Sequence, residues 1–370
     1  MISAGEASGE LYGALLSREI KRIWPDTEIF GIGGPRMESE GVELIAGISS
    51  VIGFTEAVKH LGQLKKSMNR AADALLRKKP DILVLIDYPD FNLALARKAK
   101  AAGIPILYYV SPQVWAWREG RVFKIAALVN KMAVLFPFEV DYYKKVGLPC
   151  EFVGHPIVET INITNTKREL KQELGLDPER PVVSLLPGSR PAEISRHIPV
   201  IKDVTERMHK DHPDIQLVIP LAQGTKLDEK PADYITVIHN RTREALAASE
   251  AAVVASGTAT LETALLETPM VVFFKASFIS FHIAKLLVKI KFVSLANLLS
   301  GKGVVLELLQ KDATAGNIMN ELIKLLDDET YKNQMITELQ KIKELFKGKR
   351  PSSRVASIVG EIAGWNNTGD

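Results

Sequence analysis

The sequence has a single cysteine, no long apolar run and almost no net charge, and each absence excludes a class of protein. Cys150 is the only cysteine, so no disulfide can form within the chain, and a reducing cytosol is expected. No stretch approaches the about 18 consecutive apolar residues of a transmembrane helix. The first residues lack a basic region and an apolar run, which predicts no signal peptide. The formal net charge of +3 does not indicate a nucleic-acid-binding protein.

Motifs for common cofactors are also missing. The chain has no Gly-x-x-x-x-Gly-Lys-Ser/Thr phosphate loop. The glycine-rich stretch 31–36 has Arg36 where the third glycine of a dinucleotide fingerprint would stand. Asp87 and Asp90 do not form the Asp-x-Asp pair that is typical of metal-dependent nucleotide-sugar enzymes. We therefore expect no nicotinamide cofactor and no metal.

The composition is that of a globular protein with two cores. The 370 residues are 46% hydrophobic and 25% charged, and domains of about 150 residues would give two. Short β-branched runs alternate with helical patterns twice along the chain, which predicts an α/β protein with two doubly wound, Rossmann-like domains that face a cleft. Strands are predicted at 29–32, 82–86, 106–110, 132–136, 182–186, 216–220, 235–238, 252–255 and 270–274.

The predicted domains are residues 1–160 and 161–345, followed by a helical tail over 346–370 that either crosses back to the first domain or is exchanged in a dimer. The boundary lies in a polar, charged stretch between Pro156 and Pro181. Only three residues precede the loop that should follow the first strand, so we expect either a very short first strand or a start inside a longer gene product.

Two loops of the first domain carry candidate acceptor-site residues. Glu6, Ser8 and Gly9 lie in a small-residue loop before a helix, where a ligand can approach closely, although a plain tight turn is the commoner structure. Asp87 directly follows the buried strand 82–86, at the end of a parallel sheet where ligands bind. We interpret it as a general base, with a helix cap as the alternative. Asp90 is expected to cap the helix that begins near residue 91.

Further candidates for the acceptor site follow in the same domain. Gln113 and Trp115 belong to an aromatic stretch over 108–118, which can line a sugar or acyl site but is more often simply core. His155 lies near the predicted domain junction, although a lone histidine is more often structural.

Two loops of the second domain have the composition of anion sites. One follows strand 182–186 and ends in Arg190, which can pair bidentately with phosphate oxygens. The other follows strand 252–255 and opens a helix, whose N-terminus attracts anions. Together they indicate a nucleoside diphosphate, with Glu262 on the ribose hydroxyls. The candidate donor residues are Gly188, Ser189, Arg190, Ser256, Gly257, Thr258 and Glu262.

Two stretches combine lysines with apolar side chains. One covers 54–75 with helical spacing, and the other covers 268–306 with five lysines and no acidic residue. A basic amphipathic helix can lie on an anionic bilayer, whereas the usual alternative is a helix with its apolar stripe in the core. The candidate membrane-facing residues are Phe54, Val58, Leu61, Leu64 and Met68.

Taken together, the motifs resemble the lipid-A-disaccharide synthases, bacterial glycosyltransferases of the GT-B architecture. The departures are the short start noted above, Glu10, where the family usually has aspartate, and Ala296, where it usually has proline. The matching motifs are AGEASGE at 4–10, GGPRM at 33–37, DYPDFN at 87–92, YVSPQVWAWR at 109–118, FPFE at 136–139, VGHP at 153–156, LPGSR at 186–190, SGTATLE at 256–262 and VSLANLL at 293–299.

The resemblance implies a reaction between UDP-2,3-diacylglucosamine and 2,3-diacylglucosamine 1-phosphate, with no cofactor beyond the UDP-sugar substrate. It implies that Asp87 is the base and that Arg190 and Asn297 lie in the donor site. Residues 1–160 would bind the lipid acceptor and residues 161–345 the UDP donor. It further suggests a cytoplasmic enzyme on the inner membrane and a homodimer that exchanges C-terminal segments.

Two alternatives remain at this point. One is another GT-B nucleotide-sugar enzyme, an epimerase or a transferase with a soluble acceptor, which would share the phosphate loops. The other is a non-catalytic lipid-binding membrane adaptor that uses the basic apolar helices. The preferred acyl chain length is not encoded in any motif.

Overall fold

The computed structural model describes residues 1–47, 57–114, 120–222, 224–227, 229–276 and 291–365. The chain forms two compact units, Met1–Glu159 with Gly348–Asp370, and Thr160–Lys347. The second unit is therefore inserted into the chain of the first. Each unit has one parallel sheet with helices, which confirms the predicted α/β fold class.

The sheet of the first unit has the strand order β3-β2-β1-β4-β5-β6-β7, which reverses between β1 and β4. The central strands are entirely buried because helices cover both faces of the sheet. Its strands are β1 (Ile2–Ala4), β2 (Phe30–Gly33), β3 (Glu43–Gly47), β4 (Leu83–Ile86), β5 (Ile106–Tyr109), β6 (Lys131–Val134) and β7 (Cys150–Phe152). Its helices up to the end of the first segment are α1 (Ala7–Ile23), α2 (Pro35–Ser39), α3 (Ala57–Lys78), α4 (Pro89–Ala101), α5 (Arg121–Ala126) and α6 (Val140–Lys144).

The sheet of the second unit has the order β10-β9-β8-β11-β12-β13, which reverses between β8 and β11. Its strands are β8 (Val182–Leu186), β9 (Gln216–Leu221), β10 (Ile235–His239), β11 (Ala251–Ala255), β12 (Met270–Phe274) and β13 (Glu307–Leu309). Its helices are α7 (Lys167–Glu173), α8 (Pro191–Asp211), α9 (Thr242–Ala248), α10 (Thr258–Leu265), α11 (Leu295–Ser300), α12 (Ala315–Asp327) and α13 (Glu329–Glu344). Short 3-10 turns lie at Pro137–Glu139, Pro156–Glu159 and Gln310–Asp312.

The last helix, α14 (Pro351–Ala363), belongs to the first unit and packs against α1. A Cβ atom at Gly360 would lie 2.4 Å from the ring of Trp24, so only glycine allows this approach. The Glu159 carboxylate accepts hydrogen bonds from the backbone nitrogen (3.0 Å) and the hydroxyl of Ser352 at the start of α14. The segment predicted as a tail is thus an integral layer of the first unit.

Among the described helices, none is both long enough and apolar enough to cross a bilayer.

Candidate active site

Asp87 stands at a strained corner between β4 and α4. Asp87 and the following Tyr88 have φ angles of 49° and 44°, which residues other than glycine rarely adopt. Each such residue costs on the order of 1 to 3 kcal/mol, so the surrounding structure must hold the corner. The corner lies at the carboxyl end of β4, beside β1, where the strand order reverses. This is the edge of a doubly wound sheet at which ligands bind.

Hydrogen bonds from α4 and β5 hold the corner, and β1 anchors the α4 donor. Nδ2 of Asn92, a fully buried residue of α4, donates to the carbonyl oxygens of Asp87 (2.7 Å) and Ile86 (3.2 Å). Its Oδ1 accepts from the hydroxyl of Ser3 on β1 at 2.7 Å. The Tyr108 hydroxyl on β5 donates to the Asp87 carbonyl at 2.8 Å. The carbonyl group of Asp87 is therefore held by two side-chain donors, one from α4 and one from β5.

The small-residue loop before α1 adjoins this corner. A Cβ atom at Gly5 would lie 2.4 Å from Cγ of Tyr88, so the loop needs glycine there. Burial, followed by the negative charge of Glu6, raises the pKa of Tyr88. Ser8 is exposed in the first turn of α1, and Gly9 is buried against β4. The structure thus brings Glu6 and Gly9 to the edge that carries Asp87.

Asp90 does not cap α4, and that prediction is wrong. The helix begins at Pro89, because proline suits the first helical position, so the cap position falls on Tyr88. The Asp90 carboxylate instead pairs with Arg121 at 2.7 Å and is 77% exposed.

Glu10, where the family usually has aspartate, has a structural contact of its own. Its buried carboxylate accepts a hydrogen bond from the backbone nitrogen of Arg36 at 2.8 Å, at the start of α2. A Cβ atom at Gly34 would lie 2.4 Å from Oε1 of Glu10, so glycine makes room for the longer acid.

His155 is a core residue of the first unit. It is 3% exposed, and its ring packs against Tyr12 and Phe136 at centroid distances of 5.6 and 5.7 Å. Its Nδ1 accepts a hydrogen bond from the backbone nitrogen of Ile157 at 3.2 Å. Burial lowers the pKa of His155 to about 3. The ring is neutral at physiological pH, in accord with the structural alternative for a lone histidine.

Several of the predicted acceptor-site and membrane-facing residues lie at the end of the described segments or outside them. Gln113 is exposed at the end of a described segment. Trp115 and Phe54 lie outside the described residues, as do the side chains of Val58 and Leu61.

Helix α3 packs apolar residues against the core of the first unit and exposes basic residues to solvent. Leu64 and Met68 are half-buried and pack against the core of the first unit, so the core-packing alternative applies to these two side chains. Lys65, Lys66 and Arg70 are exposed on the same helix. Membrane contact by this helix stays a prediction.

In the second unit, the two anion-suited loops follow the paired strands β8 and β11, at the reversal of the strand order. Gly188 has a φ of 112°, which glycine adopts without strain, and a Cβ atom there would lie 3.1 Å from Oε2 of Glu193. Ser189 and Arg190 are exposed, and the Arg190 guanidinium lies 3.2 Å from Glu193. Helix α8 begins directly after Arg190, so its first N–H groups point towards this loop.

The loop after β11 is joined to the 293–297 segment. The Ser256 hydroxyl donates to the Val293 carbonyl at 3.0 Å, and Oγ1 of Thr260 accepts from the backbone nitrogen of Leu295 at 3.1 Å. Gly257 and Thr258, at the start of α10, are exposed. This loop therefore offers the N-terminus of an eight-residue helix to an anion.

Glu262 lies on α10, one turn beyond that N-terminus. Its Oε1 pairs with Nε of Arg243 at 2.8 Å, and both side chains are half-buried. The pair fixes the position of the carboxylate that we assigned to the ribose hydroxyls.

Asn297 is buried, and its side-chain amide forms hydrogen bonds within the chain. Its Oδ1 accepts from the backbone nitrogens of Val304 (2.7 Å) and Val305 (2.9 Å). Its Nδ2 donates to the Val305 carbonyl (2.9 Å) and to Oε1 of Glu307 (2.8 Å). Glu307 in turn accepts from the backbone nitrogen and hydroxyl of Ser294. In this structure Asn297 shapes the loop beside the β11 edge.

Sequence reasoning missed Asn92, Tyr108 and Glu307, which position the predicted site residues. The available signal was a polar residue within a run that is otherwise buried, such as Asn92 between Phe91 and Leu93. Among the described residues, no group of three or more histidine, cysteine, aspartate or glutamate side chains converges as a metal ion would require.

Comparison with known proteins agrees with this architecture. The sequence pattern of the family described as lipid-A-disaccharide synthetase matches residues 1–359. The lipid-A-disaccharide synthase of Geobacter sulfurreducens is 42% identical over 372 residues, which cover 98% of this chain and 97% of the relative. That of Nitrosococcus oceani is 42% identical over 350 residues, covering 92% and 90%, and the lipid-A-disaccharide synthase 1 of Legionella pneumophila is 39% identical over 368 residues, covering 97% and 96%.

Solved structures with the same fold include an epimerase and a glycosyltransferase. The UDP-N-acetylglucosamine 2-epimerase of Neisseria meningitidis aligns with a TM-score of 0.63 at 13% identity, covering 97% of this chain and 99% of its own. The calicheamicin glycosyltransferase aligns with a TM-score of 0.63 at 13% identity, covering 98% of both chains. These likenesses concern the fold, whereas the sequence matches decide the family. The chain belongs to the lipid-A-disaccharide synthase family.

Proposed function

We propose that this chain is an inverting glycosyltransferase that joins UDP-2,3-diacylglucosamine to 2,3-diacylglucosamine 1-phosphate by a β(1→6) link. The products are lipid A disaccharide 1-phosphate and UDP. The observation that carries the proposal is the family match over residues 1–359. The position of Asp87 at the strand reversal of the first unit supports it.

Asp87 acts as the general base in this proposal. Its carboxylate takes the proton from the 6-hydroxyl of the acceptor while that oxygen forms a bond to the anomeric carbon of the donor. The bond from that carbon to the diphosphate breaks on the opposite side, so the configuration inverts and UDP leaves with the electron pair. The hydrogen bonds from Asn92 and Tyr108 to the Asp87 backbone keep the carboxylate in one orientation. General-base help is typically worth about 10² to 10⁴ in rate.

The two loops of the second unit bind the UDP moiety. The negative charge that develops on the diphosphate is met by the Arg190 guanidinium and by the first N–H groups of α8 and α10. The Glu262 carboxylate, held by Arg243, accepts hydrogen bonds from the ribose hydroxyls. Asn297 contributes to UDP binding indirectly, because its hydrogen bonds to Val304 and Val305 hold the loop beside the 293–297 segment in place. The UDP-sugar is a substrate, and the proposal needs no metal or cofactor.

Contact with the cytoplasmic face of the inner membrane completes the proposal. Both substrates carry acyl chains, and the described part of α3 exposes Lys65, Lys66, Arg70 and Arg77 against one acid, Asp73. Leu76 on the same helix is 64% exposed. Exposed lysines and arginines attract anionic lipid headgroups, and an exposed leucine adds apolar contact.

The resemblance also suggests a homodimer with exchanged C-terminal segments. Here α14 packs on α1 of its own chain, and an exchange would let the same surfaces meet between two copies. Light scattering over a dilution series would detect such a dimer, and a single mass of 40.8 kDa at every concentration would contradict it.

One assay tests the enzymatic proposal against its alternatives. The purified chain is incubated with both lipid substrates in detergent micelles, and UDP and the disaccharide are measured. We expect both products in equal amounts. Interconversion of the UDP-sugar without an acceptor would indicate an epimerase, and equal activity on a deacylated acceptor would indicate a transferase for soluble acceptors. Lipid binding without any UDP release would indicate a membrane adaptor.

A further inference from the structure

His197 is a buried histidine of α8 that contacts two loops at the same edge of the second sheet. Its side chain has no exposure to solvent. Its Nδ1 lies 2.7 Å from the carbonyl oxygen of Pro187, and its Nε2 lies 3.0 Å from the backbone nitrogen of Lys275. Pro187 precedes the Gly188–Arg190 loop after β8, and Lys275 is the first residue after β12.

The two partners determine the tautomer of the ring. The Pro187 carbonyl can only accept a hydrogen bond, so Nδ1 carries the proton and donates it. The Lys275 backbone N–H can only donate, so Nε2 is unprotonated and accepts. The ring is therefore neutral, and burial lowers the pKa of His197 in the same sense.

The histidine links strands that are not neighbours. In the sheet, β11 separates β8 from β12. The ring packs against Phe273 and Phe274 of β12 at centroid distances of 4.8 and 5.7 Å, which fixes its plane. His197 thus connects the loop before α8 to the end of β12 by two hydrogen bonds. The connection passes over β11, the strand that lies between β8 and β12.

We propose that His197 is a positioning residue of the diphosphate site. By its two hydrogen bonds it fixes the position of the Gly188–Arg190 loop relative to the end of β12. The inference rests on the proposed donor site, because it assigns the loop to the diphosphate of UDP. The loop contains a glycine with a φ of 112° and two exposed residues, and its Arg190 pairs with Glu193 of α8, so the bond from His197 to Pro187 adds a buried attachment at the start of the loop. Without the bond to Pro187, the loop samples more conformations, and UDP binding must then select one of them.

The two hydrogen bonds can be tested separately. The side-chain amide of asparagine reaches the position of Nδ1, and that of glutamine reaches the position of Nε2. His197→Asn therefore keeps the donor to Pro187, His197→Gln keeps the acceptor for Lys275, and His197→Leu keeps neither. The affinity for UDP is measured for each by titration calorimetry. We expect the dissociation constant to rise about tenfold in His197→Leu and in His197→Gln, and to stay within about threefold of the wild type in His197→Asn.

A matched control separates positioning from a general loss of stability. Val204→Ala removes two methyl groups from a fully buried side chain about two turns beyond His197 on the same helix. We expect it to lower the melting temperature as much as His197→Leu while leaving UDP affinity unchanged. Equal UDP affinity in His197→Leu and Val204→Ala would overturn the inference, as would a weakened His197→Asn beside a normal His197→Gln.

The tautomer offers a readout that does not depend on UDP. In a ¹⁵N-labelled protein, long-range nitrogen–proton correlations should give His197 a protonated Nδ1 and an unprotonated Nε2. The opposite assignment would overturn the proposed contacts. A wild-type chain that does not bind UDP would instead refute the donor site itself, and a wild-type affinity in His197→Leu would refute only the role of His197.

Discussion

The Nδ2 atom of Asn92 lies 2.7 Å from the carbonyl oxygen of Asp87, the residue that carries the proposed catalytic carboxylate. Asn92 is fully buried, and its other contacts reach β1 and β4, so its amide joins the two central strands to the strained corner. The strain at Asp87 and Tyr88 is thus held by a side chain that does not itself face the substrate.

Replacing Asn92 by alanine should lower both stability and turnover. The change leaves buried carbonyl groups without a donor, which costs about 1 to 3 kcal/mol, and it releases the Asp87 backbone. We expect kcat to fall at least about tenfold while KM for the UDP-sugar changes little. Asn130→Ala is the control, because Asn130 binds the backbone of Ile106 at the opposite end of the same sheet. A loss of kcat of the same size in Asn130→Ala would contradict the positioning role of Asn92.

Asp87→Asn should reduce turnover by a factor of about 10² to 10⁴, since an amide cannot take up the proton of the 6-hydroxyl group of the acceptor substrate. The affinity for UDP should stay near that of the wild type, because the donor loops belong to the other unit. Asp90→Asn is a matched control, since this carboxylate is 77% exposed and pairs with Arg121. The turnover of each variant is measured from initial rates of UDP release at saturating substrate. A turnover of Asp87→Asn close to that of Asp90→Asn would exclude Asp87 as the base.

Arg190→Ala should weaken UDP binding, and Arg190→Lys should weaken it less. A guanidinium bound to phosphate oxygens in two places is worth several-fold more than a single ammonium contact, so we expect about a tenfold to hundredfold rise in the dissociation constant for alanine. Arg207→Ala, which changes an exposed arginine of α8 that pairs with Asp203, should have no effect. Calorimetric titration with UDP measures both, and an unchanged constant for Arg190→Ala would remove it from the donor site.

The buried ring of His155 predicts a loss of stability in mild acid. Burial lowers the pKa of this group to about 3 from 6.5, so as the pH falls the unfolded chain binds the proton before the folded chain does. Its contribution to stability is complete above pH 6.5 and is lost between pH 6.5 and 3, at a slope approaching about 1.4 kcal/mol per pH unit. His155→Asn keeps an acceptor for the Ile157 nitrogen but does not titrate in this range.

Urea unfolding of the wild type and of His155→Asn at several pH values between 5 and 7.5 measures this effect. The asparagine variant should be less stable at pH 7.5, because the ring packing is lost, and the difference should narrow by about 1 to 2 kcal/mol towards pH 5. A difference that does not vary with pH would show that His155 is accessible to protons in the folded chain.

Reversing the charge of Lys65 and Lys66 together should reduce binding to anionic vesicles. Each basic residue near an anionic surface contributes about 1 kcal/mol, so Lys65→Glu with Lys66→Glu should lower vesicle binding at least about tenfold. The double variant Lys226→Glu with Lys230→Glu changes two exposed lysines of the second unit and serves as the control. Co-sedimentation with phosphatidylglycerol vesicles gives the bound fraction. Equal losses in both double variants would indicate attraction by net charge alone.

The sequence predicts the central strands because their burial leaves a continuous apolar run. The run Leu83–Ile86 is one example, and its four residues are all buried. Four strands lack a predicted range. One is β1, which is only three residues long and was expected only as a very short strand, and the others are β3, β7 and β13. These last three share one explanation. They lie at the edges of their sheets and are three to five residues long, and their side chains are mostly half-buried or exposed. A strand that is covered on one side only and for a few residues leaves too weak a pattern to recognise.

The motifs led to the loops of the site, whereas the contacts within them needed the fold. Asp87 and Arg190 follow strands that could be recognised, and so their placement at the ends of the sheets was predictable. The roles of Asn92 and His197 depend on hydrogen bonds to residues brought close by the strand order. Asn297 illustrates the same limit, because the family motif indicates a donor-site residue and only the fold shows its amide bound to 304–307.

The insertion of one unit into the chain of the other has a consequence for synthesis on the ribosome. The second unit is a continuous segment, Thr160–Lys347, and can fold as soon as it has emerged. The first unit begins to emerge earlier but lacks α14 until residues 351–363 have followed the second unit, so α1 exposes Trp24 and the surface around it in the meantime. The unit that begins to emerge first is therefore completed last, and a nascent chain released before Pro351 would contain the whole second unit together with a first unit that lacks one of its layers.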